Sequence, residues 1–138
     1  EEVRDSVNRF TIANDDQMKI VKKINAAKIK TVGMFILAQP DDTHSTCLST
    51  IDYASRLNLS IAQFSIFTPY PGTPFYDRGE MEPSFDKFEE CNQYNLVYNH
   101  ATISKKEARK LLQKAYLSFV LNKLKTSLRF SSLNLFVK

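Results

Sequence analysis

Residues 31–67 read TVGMFILAQPDDTHSTCLSTIDYASRLNLSIAQFSIF, and this stretch decides the fold. Its first eight residues, 31–38, are rich in apolar side chains and are closed by Pro40, which predicts a strand buried on both faces. Residues 61–67 alternate, with Ala62, Phe64 and Ile66 on one face of a second strand. Between the strands, cap residues at 41–43 and apolar side chains at helical spacing predict a helix. Strand, helix and strand with short joints form a βαβ unit, whose two strands are parallel.

Helices are predicted on both sides of this unit. Asn14, with Gln17 three residues later, is typical of a helix N-cap, and the helix that follows carries an apolar stripe at Ile20, Val21, Ile24 and Ala27. Ser104 and Glu107 form a capping box before a second stripe at Ala108, Leu111, Leu112, Ala115, Tyr116 and Phe119. Residues 122–138 predict a further amphipathic helix, and residues 78–102 show no clear periodicity.

A proline-rich loop follows the second strand, with the sequence TPYPGTPFY at residues 68–76. Pro69, Pro71 and Pro74 each fix φ and remove a backbone donor, whereas Gly72 permits a tight turn. The loop is therefore stiff. It lies at the carboxyl end of its strand, which is the side of α/β sheets and barrels where ligands bind.

Two parallel strands leave unpaired edges and do not make a closed core. We therefore expect these strands to be the last ones of a larger sheet or barrel whose earlier strands precede Glu1. That residue is not methionine, which agrees with a piece of a longer protein. Expressed alone, such a piece is expected to be poorly soluble or loosely folded.

Composition indicates a soluble globular domain, because 43% of the 138 residues are hydrophobic and 25% are charged. Cys47 and Cys91 are far apart and belong to no metal or disulfide motif, which favours a reducing cytoplasm. His44 and His100 have no second ligand at metal spacing, so both are interpreted as surface or cap residues. No nucleophile triad or phosphate loop is visible in the sequence.

The net charge is +4, and its excess lies late in the chain. A solvated helix face is one interpretation of these cations. The alternative is an interaction module whose basic C-terminal helix binds an anionic partner or a membrane surface. Nucleic acid is an unlikely partner, since aromatic residues do not interleave with the charges as a base-stacking platform requires.

Two stretches resemble a known family. VGMFILAQPDDT at residues 32–43 and AQFSIFTPYPGTPFY at residues 62–76 resemble the fifth and sixth strands of the radical S-adenosylmethionine (SAM) partial barrel. The similarity is to the cobalamin-linked subgroup, which includes anaerobic protoporphyrin-ester cyclases and hopanoid-modifying enzymes. The family's TPYPGTP loop matches in full at residues 68–74. Its G-x-P-G-E-T turn is matched less well, because Ala38 and Asp41 replace glycines, while Asp42 retains a carboxylate.

The flanking segments resemble the same family. EEVRDSVNRF at residues 1–10 is similar to the stretch after the fourth strand, and the helix from Ser104 resembles the family's trailing helix with its AYxxF ending. The resemblance implies an α/β fold, the C-terminal portion of a (β/α)6 partial TIM-type barrel with parallel strands. Residues 1–80 would supply the last two strands and their helices, and residues 81–138 a mainly helical extension.

The resemblance also implies a cofactor. SAM would be bound by residues near the two strand ends, namely Phe35, Ile36, Ala38, Gln39, Phe67, Thr68 and Pro69. The alternative is that the phenylalanines and Ile36 are ordinary core residues. In the family a CxxxCxxC loop holds a 4Fe-4S cluster, and this chain contains no such loop, so the isolated chain is expected to be inactive and is assigned no catalytic or metal-binding residue.

The partners implied by the resemblance are the N-terminal half of the barrel and a cobalamin-binding domain, with a small molecule or lipid as substrate.

Overall fold

The structure is a computed structural model that describes residues 13–77 and 88–135. In chain order the elements are helix α1 (Asn14–Ala26), strand β1 (Val32–Leu37), helix α2 (His44–Arg56), strand β2 (Ile61–Ile66), the short helix α3 (Pro74–Asp77), a 3-10 turn (Phe88–Glu90) and helix α4 (Lys105–Leu135). The predicted boundary near residue 80 and the opening stretch 1–10 lie outside the described residues. The division into two domains stays a prediction.

The two strands form a parallel pair, as predicted. Their register runs from Val32 opposite Ile61 to Leu37 opposite Ile66. Helix α2 provides the crossover between them, so the described chain is α/β. The larger barrel to which these strands would belong stays a prediction.

One face of the sheet carries the hydrophobic core. The rings of Phe35 and Phe64 stack there with centroids 5.3 Å apart, and Leu37, Ala62 and Ile66 are buried beside them. Helices α2 and α4 contact this face and each other. Five of the six residues predicted as the apolar stripe of α4 are buried in the same cluster. The sixth, Tyr116, is partly exposed.

Close packing on that face requires a glycine. A Cβ atom at Gly33 would lie 2.3 Å from Leu59 Cδ1 and 2.8 Å from the Phe35 ring. A larger residue at position 33 would therefore displace the side chain of Leu59 and the ring of Phe35.

The opposite face of the sheet is open in the described part of the chain. Val32 is 62% exposed, Met34 73% and Ile61 59%. The prediction that β1 is buried on both faces is therefore wrong for these residues. The physical reason is that α2 and α4 both pack on the core face, so neither covers the apolar side chains on the other.

Helix α1 attaches to α2. The Tyr53 hydroxyl lies 3.0 Å from Gln17 Oε1 and 3.3 Å from the Asn14 carbonyl oxygen. The N-cap of α1 is Ala13, one residue earlier than predicted, and it makes no side-chain cap hydrogen bond. Of the predicted apolar stripe, Val21 packs against the core, whereas Ile20 is exposed. The first helix is therefore held less firmly than its pattern indicates.

The other two helix starts agree with the sequence. Thr43 caps α2 in a reciprocal capping box with Thr46. At α4, the Ser104 N–H donates to Glu107 Oε2 over 2.9 Å, and the Glu107 N–H donates back to Ser104 Oγ over 3.3 Å. Helix α4 then continues without a break to Leu135, so the tail is part of this helix and not a further one. In the part of the chain that the structure describes, no helix is long and apolar enough to cross a membrane.

The two outer edges of the sheet differ. At the β2 edge, the Tyr116 hydroxyl accepts from the Phe64 N–H over 3.2 Å and donates to the Phe64 carbonyl over 3.0 Å. The Ile66 N–H donates to the Gln93 carbonyl over 2.6 Å. At the β1 edge, no strand within residues 13–77 and 88–135 pairs with it. The sheet is thus closed on one side and open on the other.

Candidate functional site

The carboxyl ends of β1 and β2 lie side by side. The Phe67 N–H donates to the Leu37 carbonyl over 2.8 Å, so the turn after β1 and the loop after β2 leave the sheet together. The structure brings the predicted site residues to this edge, in two groups: Phe35, Ile36, Ala38 and Gln39 from the first strand and Phe67, Thr68 and Pro69 from the second. Ligands of α/β sheets bind at this edge.

The side chains of these residues point in different directions. Phe35 stacks on Phe64 in the core, which matches the alternative that it is a core residue. Ile36 lies on the open face and is half-buried. The Phe67 ring makes edge-to-face contacts with Phe75 at 5.4 Å and with Tyr98 at 6.0 Å between centroids. The strand ends therefore offer aromatic and aliphatic surface next to the two exit loops.

The turn after β1 is closed by its own carboxylate. Asp42 is buried, and its Oδ2 accepts from the Gln39 N–H over 2.9 Å while Oδ1 accepts from the Thr46 hydroxyl over 2.6 Å. The Asp42 N–H returns a bond to the Gln39 carbonyl over 2.9 Å. Within this turn Ala38 is fully buried and has φ +54°, in the left-handed region. The carboxylate that resembles the family's glutamate thus holds the turn.

A distant segment fastens the same turn. The Tyr98 hydroxyl donates to the Ala38 carbonyl over 2.6 Å, and the Thr102 hydroxyl donates to the Asp42 carbonyl over 2.9 Å. His100 Nε2 lies 2.8 Å from the Gln39 carbonyl oxygen. The carbonyl groups at three positions of the turn are therefore already bonded within the chain.

The hydrogen bonds of His100 define its tautomer. Its Nδ1 faces the N–H groups of Thr102 and Ile103 at 3.1 and 3.2 Å, so Nδ1 must be the acceptor. The proton of the neutral ring is then on Nε2, which donates to Gln39. His100 is half-buried, and its ring joins the backbone of Gln39 to the backbone of Thr102 and Ile103. This role is more structural than that of the predicted surface or cap residue.

Gln39 is the polar side chain left for a ligand. The residue is 9% exposed, and its backbone N–H and carbonyl are both bonded within the chain. Its side-chain amide makes no hydrogen bond to any residue that the structure describes. A buried amide without partners costs free energy on the order of 1–3 kcal/mol, so such groups usually meet a ligand, water or another part of the protein.

The loop after β2 is a built turn. Gly72 has φ +80°, which favours glycine, and the Thr73 N–H and hydroxyl both donate to the Tyr70 carbonyl, over 3.0 and 2.6 Å. The Tyr70 hydroxyl donates to the Cys91 carbonyl over 2.8 Å. Pro69 is buried. The stiff loop predicted from the prolines is thus tied to the same distant segment that fastens the other turn.

Two ionisable groups beside the turn, the Cys47 thiol and the Tyr98 hydroxyl, stay protonated at neutral pH. Burial raises the pKa of the Cys47 thiol to about 12, although the Ala38 N–H lies 3.4 Å from Cys47 Sγ and favours the thiolate. Burial also raises the pKa of Tyr98 well above its usual range, with a smaller contribution from Asp42. Neither group is a nucleophile or base at neutral pH. Cys47 is a small residue of the core with no exposure.

Metal ligands are not gathered at this edge. In the residues that the structure describes, no three His, Cys, Asp or Glu side chains are placed to hold a metal ion together. The strand ends therefore offer shape, apolar contact and a side-chain amide.

Comparison with known proteins gives two relatives. A Pyrococcus horikoshii protein named as an uncharacterized methyltransferase is 32% identical over 108 residues, which are 77% of this chain and 23% of that protein. The bacteriochlorophyllide d C-12(1)-methyltransferase of Chlorobaculum tepidum is 25% identical over 93 residues, which are 67% of this chain and 20% of that protein. No family model matches the chain. The chain is thus related to proteins named as methyltransferases, of whose length it spans about a quarter or less.

Proposed function

We propose that this chain is the C-terminal section of a SAM-dependent methyltransferase of the radical SAM type, and that its two strand ends form part of the wall that holds SAM. The names of both relatives support methyl transfer, for which SAM is a methyl donor. The motifs at residues 32–43 and 62–76 support the radical SAM type.

The asymmetry of the sheet is the observation that carries this proposal. Helices α2 and α4 pack on one face and leave Val32, Met34 and Ile61 exposed on the other. A barrel has this arrangement, with helices outside and strand side chains inside. The Tyr116 and Gln93 contacts occupy the β2 edge, so further strands would add at β1. β2 is then the last strand of a partial barrel.

The strand ends fit the adenosyl part of SAM by their chemistry. Phe67 and Pro69 supply apolar surface, and the amide of Gln39 supplies both a donor and an acceptor. Thr68 is half-buried, and its hydroxyl donates to the Ile66 carbonyl over 3.2 Å, which leaves its oxygen able to accept. The backbone of the turn after β1 is committed to Asp42, so side chains, and not this backbone, would contact the cofactor.

In the subgroup that the motifs resemble, SAM would supply the methyl group to a cobalamin carrier and, with a reduced 4Fe-4S cluster, the radical chemistry, while Gln39, Phe67, Thr68 and Pro69 of this chain would hold its adenosyl part. The ligands of the cluster would come from a CxxxCxxC loop elsewhere in the longer polypeptide. The residues of this chain would position the cofactor and exclude water.

The test uses the longer polypeptide that contains this segment, purified without oxygen. Equilibrium dialysis with labelled SAM compares the parent protein with Gln39→Ala and with Gln113→Ala, an exposed glutamine on α4 that serves as the matched control. Loss of one hydrogen bond, about 0.5–1.5 kcal/mol, predicts a Kd about 2 to 12 times higher for Gln39→Ala and no change for the control. Equal affinity in all three proteins would refute the proposal that the strand ends hold SAM.

The radical chemistry has its own readout. Reduced protein incubated with SAM is expected to release 5′-deoxyadenosine. Turnover to S-adenosylhomocysteine that needs no reductant, with no 5′-deoxyadenosine, would refute the radical type.

A further inference from the structure

Helix α4 carries a second apolar face. Leu117, Val120, Leu121, Leu124 and Leu128 are between 46% and 69% exposed. At 100° per residue they fall within an arc of about 100° on the side of the helix opposite the core stripe. Residues 117–128 extend this face over roughly 16 Å of helix. We call these five residues the outer stripe.

Along α4, the outer stripe follows lysines that point in the same outward direction. In the first half of α4 the same outward direction is occupied by Lys106, Lys110 and Lys114, all exposed. From Leu117 onwards this direction is aliphatic, whereas the inner direction carries Phe119 and then the half-buried Asn122 and Thr126. Solvation alone does not account for this change, because a solvated face would stay polar.

The charge around the outer stripe has one sign. After Glu107 the chain contains no Asp or Glu, and its charged residues are Arg109, Lys110, Lys114, Lys123, Lys125, Arg129 and Lys138. Within the stripe's span, Lys125 projects on one flank and Lys123 on the other by helical geometry. Aliphatic residues bordered by lysines are typical of helices that lie in a membrane interface, where the lysine stems extend towards the headgroups.

We propose that the outer stripe docks this protein on an anionic lipid membrane, with α4 lying in the plane of the surface. Apolar burial would come from the five aliphatic side chains, and the cations would meet the lipid phosphates. The inner face of α4 packs on the core as far as Phe119, so this helix is a side of the folded domain that would face the membrane.

Two other occupants fit less well. A second copy of this chain would bring together two stripes that are bordered only by cations, and their lysines would repel one another. An acidic protein groove that wraps a basic helix needs access to most of its circumference. Here Leu111, Ala115 and Phe119 hold the inner face against the core, and the Asn122 side-chain amide donates to the Ser55 carbonyl, so a flat partner meets α4 from one side.

An open surface groove adjoins the outer stripe. It is lined by α4 alone, namely by Phe119, Val120, Lys123, Leu124, Thr126 and Ser127.

Vesicle sedimentation tests the proposal on the longer polypeptide that contains this segment. We expect it to sediment with vesicles of mixed phosphatidylcholine and phosphatidylglycerol, and much less with phosphatidylcholine alone. The double variant Leu117→Gln/Leu124→Gln is expected to bind at least about tenfold more weakly. Ile29→Gln is the matched control, because Ile29 and Leu117 are both 59% exposed and Ile29 lies outside α4, in the loop between α1 and β1.

A charge series separates the lysines of α4 from general basicity. Lys114→Gln/Lys125→Gln is expected to weaken binding to the mixed vesicles, whereas Lys22→Gln/Lys23→Gln on α1 removes the same charge and is expected to leave it intact. Absence of binding by the parent protein overturns the proposal, and so does equal binding by the leucine variant. A dimer in light scattering that the leucine variant makes monomeric, without vesicle binding, would assign the stripe to a second copy instead.

Discussion

The hydroxyl of Tyr98 is expected to control the opening of the turn after β1. In Tyr98→Phe the ring and its edge-to-face contact with Phe67 stay in place, while the 2.6 Å bond to the Ala38 carbonyl is lost. That carbonyl belongs to a residue with no exposure, so water does not replace the donor in the closed state. A buried acceptor without a partner costs about 1–3 kcal/mol.

Amide hydrogen exchange measures this cost locally. The Gln39 and Asp42 N–H groups are bonded within the turn and report its opening. Where exchange follows the opening equilibrium, the expected cost corresponds to exchange about 5 to 150 times faster in residues 38–43. Mass spectrometry of peptides that cover this range gives the rate, in any polypeptide that contains the segment.

The control is Tyr94→Phe, since Tyr94 is 52% exposed and belongs to the same irregular segment. Its exchange pattern in residues 38–43 is expected to match the parent. A change of less than about twofold in Tyr98→Phe would refute the reasoning. Faster exchange spread evenly through α2 and α4 would also refute it, because the effect would then be global and not that of one carbonyl.

Two further predictions concern the β2 edge and the buried thiol. Tyr116→Phe removes both bonds to the Phe64 backbone at a partly exposed site, so exchange of the Phe64 amide should rise about 2- to 12-fold, with Leu117→Ala as a neighbouring control that leaves it unchanged. Burial raises the pKa of Cys47 from 9.0 to about 12, so the thiol of the unfolded chain ionises first as the pH rises above about 9. The folded state therefore loses stability between about pH 9 and pH 12, and the urea midpoint should fall over this range. The fall should be less steep in Cys47→Ala. Thiol reagents should label Cys91 but not Cys47 in the native protein, and rapid native labelling of Cys47 would contradict its burial.

The parts of the fold with local signals were predictable. The strands, their parallel pairing and the capping box at Ser104 follow from patterns within a few residues, and the structure contains them. The apolar run in β1 was ambiguous for a physical reason. Val32 and Met34 are apolar whether or not their cover is present, so the sequence does not reveal that the described elements leave them exposed.

The hydrogen bonds that hold the turn after β1 were not predictable from the sequence. The bonds from Tyr98 and His100 to the turn after β1 span 60 and 61 residues, and the segment that carries them has no helical or strand periodicity. Only the density of aromatic and polar residues around position 98 hinted at packing. The positions of Gln39 and Phe67 at one edge, in contrast, follow directly from parallel pairing.

Ala38 stands where the pattern that the chain resembles has a glycine, and the hydrogen bonds to this turn explain how an alanine is held there. A left-handed backbone at a residue with a Cβ atom costs roughly 1–2 kcal/mol, and φ at Ala38 is +54°. The carbonyls of residues 38, 39 and 42 accept hydrogen bonds from Tyr98, His100 and Thr102, each worth about 0.5–1.5 kcal/mol net. Together these bonds are as large as the cost at Ala38 or larger. The turn therefore keeps a glycine-like shape because distant contacts impose it, and the Gln39 amide is presented at the strand end by a backbone that needs no ligand to hold it.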